Sequence, residues 1–209
     1  MSFAPAVIAT YGPHDPTAPT ALLLHGRGSN EREIVELADQ LPAGLNYVAV
    51  RAPIAEGPGF AWFANRGIGR PLAESLADTL AWFDAWWREY GGPSRPIVVG
   101  FSGGAAFAGG LLLSRPERYG AGAVLYGTLP FDAGLATTPE RLEGVEVLVI
   151  QGERDRVIPA DLLARTWSYL HEESGATLRA RRSPGGHGLD AEDVVALAEW
   201  LRGVARLEG

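Results

Sequence analysis

The sequence contains no cysteine. A disulfide framework, a thiolate metal site and a cysteine nucleophile are therefore excluded, and thiols say nothing about the redox compartment. No apolar run approaches the ~18 residues that a membrane helix needs. The stretch Met1 to Asp15 lacks the basic start and apolar centre of a secretory signal. No integral membrane association is expected, and the cytoplasm is the default location. Positive charge is also scarce: 18 Lys and Arg stand against 25 Asp and Glu, a formal net charge of −7, with no basic cluster. That balance argues against nucleic acid or an anionic membrane surface as partner. The 4 histidines are too dispersed for a metal-ligand pattern such as H-E-x-x-H, so no metal is expected. There is no internal repeat, and the 27 glycines and 15 prolines are scattered between periodic segments as turn residues, without forming a linker.

What remains is ordinary globular material. A chain of 209 residues, 46% hydrophobic and 21% charged, fits a single domain over 1–209 with a substantial core. Its partner is expected to be a small molecule.

Strand and helix patterns alternate along the chain. Ala6 to Tyr11, bounded by Pro5 and Pro13, reads as an edge strand. Ala21-Leu22-Leu23-Leu24 is the continuous apolar run of a strand buried on both faces. A glycine-rich loop, His25 to Asn30, leads from it into helical spacing over Glu31 to Leu41. Asn46 to Arg51 is the next strand. Residues 54 to 71 read as a long irregular loop carrying Phe60, Trp62 and Phe63, longer than packing needs and so suited to a site. Leu72 to Tyr90 is an amphipathic helix with Leu76, Leu80, Phe83 and Trp87 on one stripe; Trp82 and Trp86 beside it read as core.

Ile97-Val98-Val99 then runs into Gly100-Phe101-Ser102-Gly103-Gly104 and a small-residue helix, Ala105 to Leu113. Ala121 to Tyr126 and Val145 to Gln151 are further strands, separated by a polar excursion over Gly127 to Gly144. A helix over Ala160 to Glu173, an outer strand over Thr177 to Arg182 and a last helix over Ala191 to Arg206 complete the pattern. Such alternation predicts an α/β class: a mostly parallel central sheet of about seven strands with helices on both faces. Chemistry in such a sheet gathers at the carboxyl ends of the strands.

Those ends hold a serine at a sharp strand-to-helix turn, an acid after the Val145 to Gln151 strand and a histidine after the outer strand. The chain order Ser102, Asp155, His187 is that of the α/β-hydrolase arrangement and of neither chymotrypsin nor subtilisin. A serine hydroxyl is a weak nucleophile, so an imidazole must take its proton and return it to a leaving alkoxide, with a carboxylate to orient the ring. The tetrahedral oxyanion needs two fixed N–H donors, for which the backbone amides of Arg27 and Gly103 stand on the first loop and on the turn. Glu153 and Asp132 are competing acids, and Asp190 reads as the N-cap of the last helix. His25 also ends a strand near the site; its role reads as structural, the ring bracing the oxyanion loop. His14 and His171 read as solvated. Phe60, Trp62, Phe63, Leu129 and Phe131 follow strands and are candidates to line an apolar substrate pocket.

Taken together, Leu24 to Glu31, Arg51-Ala52-Pro53 running to Ala61-Trp62-Phe63, Gly100 to Gly104, Gly152 to Pro159 and Gly186-His187-Gly188 resemble the phospholipase/carboxylesterase family of α/β hydrolases, which includes small bacterial esterases and acyl-protein thioesterases. The resemblance spans nearly the whole chain. It implies an α/β-hydrolase fold without a separate cap domain, a carboxylic ester hydrolase with Ser102, Asp155 and His187 as triad, and no cofactor. Similar enzymes usually carry glutamine where this chain has Gly103, a difference that bears on pocket shape and on thioesterase specificity more than on the main-chain donor. The expected substrate is a small to medium apolar acyl or aryl ester. Thioesterase, lysophospholipase and dienelactone-hydrolase-like activities are the alternatives, as is a non-catalytic binding protein on the same fold. The sequence leaves open whether the chain acts alone or as a homodimer.

Overall fold

The computed structural model describes residues 3–207. Met1 and Ser2, the start of the stretch read as lacking a secretory signal, lie outside the described residues. The elements run in the order β1 (Ile8–Tyr11), β2 (Thr20–Leu24), α1 (Glu31–Val35), β3 (Asn46–Val50), β4 (Ile54–Glu56), β5 (Gly59–Ala61), β6 (Asn65–Gly67), β7 (Arg70–Pro71), α2 (Ala73–Tyr90), β8 (Ile97–Phe101), α3 (Gly103–Ser114), β9 (Ala121–Leu125), β10 (Glu146–Gly152), α4 (Ala160–Ser168), β11 (Thr177–Ser183) and α5 (Ala191–Val204).

A seven-stranded sheet with order β1-β3-β2-β8-β9-β10-β11 forms the middle layer, parallel throughout except for β1, which pairs antiparallel with β3. The apolar runs in β2 and β9 are wholly buried because helices cover both faces. Leu22, Leu24, Val48 and Val50 face α2, α3 and α4, while Ala21, Leu23, Tyr47 and Ala49 face α1 and α5. In α2 the stripe Leu76, Leu80, Phe83 and Trp87 is buried, worth roughly 1.5–3 kcal/mol per side chain. The helix stops at Gly91, whose φ of 72° supplies the left-handed turn at its end. Among the described residues no helix is long and apolar enough to cross a membrane.

Four segments differ from the sequence expectation. Residues 54 to 71 are two short hairpins, β4–β5 and β6–β7, and not an irregular loop. Their strands are two or three residues long, too short for a period-two pattern to register. Helix α1 ends at Val35 and continues to Gln40 as a 3₁₀ helix. Beyond α4 the backbone widens into a π-helical turn over Tyr169–Glu173. The stretch after β9 is not polar where it matters: residues 127–131 are buried.

Candidate active site

Ser102 sits between β8 and α3 with φ 54° and ψ −114°, outside the regions an L-residue adopts at ease. Its N–H donates to the Leu125 carbonyl (2.9 Å), and its own carbonyl accepts from Ala105 and Ala106, so the surroundings hold the strained backbone in place. The turn is this tight only because two positions lack side chains. A β-carbon on Gly100 would lie 2.1 Å from the Gly104 carbonyl oxygen, and one on Gly104 would lie 2.1 Å from that of Leu24. The elbow thus packs backbone against backbone on β2.

His187, on the loop between β11 and α5, is 2.8 Å through Nε2 from Ser102 Oγ and 2.8 Å through Nδ1 from Asp155 Oδ2. The Asp155 side chain is fully buried and that of His187 is 16% exposed. Asp155 Oδ1 accepts from the N–H groups of Val157 (2.8 Å) and Ile158 (3.1 Å), which leaves Oδ2 for the imidazole. The three predicted side chains, from loops after β8, β10 and β11, therefore form one hydrogen-bonded line. The other acids are placed elsewhere: Glu153 is exposed, Asp132 pairs with Arg165, and Asp190 caps α5 through a reciprocal capping box with Asp193.

Arg27 is the second residue of a turn closed by Ser29 N–H to the Gly26 carbonyl (3.2 Å). A β-carbon on Gly103 would lie 3.2 Å from the Arg27 nitrogen, so the two amides expected as oxyanion donors stand side by side at the head of α3. Gly103 opens the helix, and its N–H has no carbonyl one turn earlier to bond. The Arg27 side chain points elsewhere, pairing through Nε with Glu56.

The hairpin β4–β5 fixes this turn. Gly28 N–H donates to the Phe60 carbonyl (2.9 Å) and Phe60 N–H to that of Ser29 (3.0 Å). The approach requires Gly59, where a β-carbon would sit 1.9 Å from the Gly28 carbonyl oxygen. Beneath it, fully buried His25 donates from Nδ1 to the Gly26 carbonyl (2.7 Å) and accepts at Nε2 from Ala52 N–H (3.0 Å). Both ring nitrogens are thereby engaged. Burial pushes its pKa down, which keeps the ring neutral and in the tautomer that braces the turn. Trp62 Nε1–H donates to the His25 carbonyl (2.8 Å).

A cavity of about 680 Å³ opens onto Ser102 and His187, a size suited to a small-molecule ligand. Of the five side chains proposed to line it, Phe63 does so and four do not. Trp62 is core, stacked on Phe107 with centroids 4.4 Å apart. Phe60 is half-buried against the core under the Arg51 guanidinium, which lies 4.7 Å from its ring. Leu129 is fully buried behind Thr166, and Phe131 packs between Tyr169 and Arg165. Phe60 lies within β5 and the other three follow strands, but each side chain is drawn into the core or under a neighbouring cation. The apolar wall comes instead from Ile34, Ile68, Ala106, Val157 and Ile158. Ile68 had a legible signal, since an isolated isoleucine between two glycines is a hairpin tip. Val157 and Ile158 lie two and three residues after Asp155 in sequence. Glu33, Glu56 and Arg27 add charge at one side, and Asn65 adds a carboxamide whose Oδ1 has no hydrogen-bond partner among the described residues. No group of three or more His, Asp or Glu side chains among the described residues is arranged to hold a metal ion.

Comparison with known proteins agrees with this architecture. The chain matches the Phospholipase/Carboxylesterase family over residues 5–204. It is similar to the carboxylesterase SOBER1 of Arabidopsis thaliana, 27% identical over 68% of this chain and 64% of that protein, so it spans less than two thirds of that relative's length. Among solved structures, a carboxylesterase from Mesorhizobium loti is 28% identical with a TM-score of 0.79, covering 88% of each chain. The Bacillus cereus carboxylesterase, 22% identical, shares the fold with a TM-score of 0.83 over 95% of this chain and 94% of its own. A seven-stranded, mostly parallel sheet, a strained serine elbow and a family match across nearly the whole chain together mean that this protein belongs to the phospholipase/carboxylesterase family of α/β hydrolases.

Proposed function

We propose that this protein is a serine carboxylesterase that hydrolyses small to medium apolar acyl or aryl esters through Ser102, His187 and Asp155. The observation that carries the reading is the unbroken line Ser102 Oγ to His187 Nε2 (2.8 Å) and His187 Nδ1 to Asp155 Oδ2 (2.8 Å) at the floor of an open cavity. His187 Nε2 takes the hydroxyl proton as Ser102 Oγ attacks the ester carbon, and Asp155 stabilises the imidazolium. The carbonyl oxygen becomes an oxyanion that accepts from the N–H groups of Arg27 and Gly103. Collapse breaks the bond to the alkoxide, which leaves with the proton from His187 and deposits the acyl group on Ser102. Water, deprotonated by the same imidazole, then attacks the acyl-enzyme and releases the acid.

Because Phe63, Ile68, Val157 and Ile158 line the cavity, an apolar group on the ester suits it. Hydrolysis of p-nitrophenyl esters of graded chain length, by wild type and Ser102→Ala, tests the reading. Loss of the hydroxyl should cost at least about 10³-fold in kcat, and a fully active alanine variant would overturn the assignment. Thioester, lysophospholipid and dienelactone substrates run in the same panel separate the neighbouring activities, and phosphonate labelling of Ser102 separates an enzyme from a binding protein.

A further inference from the structure

We propose that Tyr126 is a positioning residue for His187, acting through a buried network with Asp193 and Arg181 that clamps both ends of the histidine loop. The inference rests on the reading of His187 as the proton carrier. Tyr126 follows β9 directly, is fully buried, and holds a φ of 50°, an uncommon backbone for a bulky side chain. Its ring stands at 90° to the imidazole of His187 with centroids 6.2 Å apart, and Phe101 approaches that imidazole with centroids 5.5 Å apart. The phenol O–H donates to Asp193 Oδ2 (2.6 Å), and Arg181 Nε donates to Asp193 Oδ1 (2.7 Å).

Asp193 is fully buried, a costly place for a carboxylate unless both oxygens are bonded. Its Oδ2 also accepts from Asp190 N–H (3.1 Å), and its N–H donates to Asp190 Oδ1 (2.9 Å). Asp190 Oδ2 in turn accepts from the Ser183 hydroxyl (3.0 Å). Ser183 closes β11 and Asp190 caps α5, so these bonds join the residues on either side of the loop that carries His187. Tyr126 links that clamp to the imidazole itself. The line from Ser102 to His187 to Asp155 makes no use of this network, yet the loop's two ends depend on it.

Tyr126→Phe removes one oxygen and keeps the ring. The expected result is a kcat about 10-fold lower with KM within twofold of wild type, since misplacing a catalytic group costs turnover before it costs binding. The second readout needs no substrate. The His187 Nδ1 proton, held against Asp155, should give a downfield proton NMR resonance in wild type that broadens into solvent exchange in Tyr126→Phe. Ser183→Ala, which removes the hydroxyl that bonds Asp190 and leaves the Tyr126 side chain itself intact, should show the same pattern and serves if Tyr126→Phe does not fold. A lowered Tm with unchanged kcat and an unchanged resonance in both variants would overturn the proposal and leave the network a purely structural one. If wild type hydrolyses no ester, the hydrolase reading fails, while the resonance still decides whether the clamp positions the ring.

Discussion

Gly59→Ala tests the link between the β4–β5 hairpin and the oxyanion turn, at a residue far in sequence from the three reacting side chains. The added β-carbon would lie 1.9 Å from the Gly28 carbonyl oxygen and 2.3 Å from its carbon. Non-bonded heavy atoms settle near 3.5 Å, so the hairpin and the turn must separate by at least about 1 Å. That separation breaks or stretches the two bonds between Gly28, Ser29 and Phe60. At roughly 1 kcal/mol each, the stability loss is about 2 kcal/mol, which for a chain of this size lowers Tm by about 4–8 °C. The same movement carries the Arg27 amide off the oxyanion, and a misplacement of ~1 Å can cost about 10²-fold in rate. Steady-state kinetics with a p-nitrophenyl butyrate series at 20 °C, beside a thermal scan, read both effects. The control is Gly67→Ala, where an added β-carbon meets nothing within 4 Å. A Gly59→Ala enzyme with kcat within threefold of wild type would refute the claim that the hairpin holds the oxyanion donor.

Two further expectations concern binding and pH. Ile68 is 52% exposed at the cavity wall, so Ile68→Ala should raise KM for apolar esters about fivefold, near 1 kcal/mol of lost apolar contact, with Tm unchanged. Leu129→Ala should do the reverse, lowering stability by about 2–5 kcal/mol while leaving chain-length preference alone; a shifted preference would mean that Leu129 reaches the substrate. Burial holds the His25 pKa below its ordinary value, so near pH 6.5 the unfolded chain takes up a proton that the folded chain refuses. The contribution is therefore fully present above that pH and is lost as pH falls. Thermal unfolding between pH 7.5 and 5 should show a steeper loss of Tm for wild type than for His25→Gln, and equal slopes would exclude His25 as the source.

The sheet and the meeting of Ser102, Asp155 and His187 were legible because both are written in runs and order. Continuous apolar strands such as Leu22 to Leu24 announce burial on both faces, and strand-end loops in a parallel sheet converge whatever their spacing. The pocket was legible only at Phe63 and at the hairpin tip Ile68, because most of its other side chains lie on turns and short segments that carry no period. Trp62, Leu129 and Phe131 stand at strand ends as plausibly as Phe63 does, and only three-dimensional packing sends them into the core. Tyr126 is similar: in sequence it is one more aromatic residue just after β9, and its hydroxyl finds Asp193 only because α5 packs back against the sheet.

The makeup of α3 reaches beyond catalysis. Its sequence GGAAFAGGLLLS opens with two glycines and carries two more at its centre, and residues 104 to 113 are all buried. Each glycine disfavours helix by about 1 kcal/mol relative to alanine, and a segment this short is marginal in water even when composed of good helix formers. The helix that carries the serine thus has little tendency to form before its neighbours surround it. During refolding, the nucleophile should be the last part of the molecule to take shape, and the return of activity should follow the slowest phase of core closure and not the first gain of helicity.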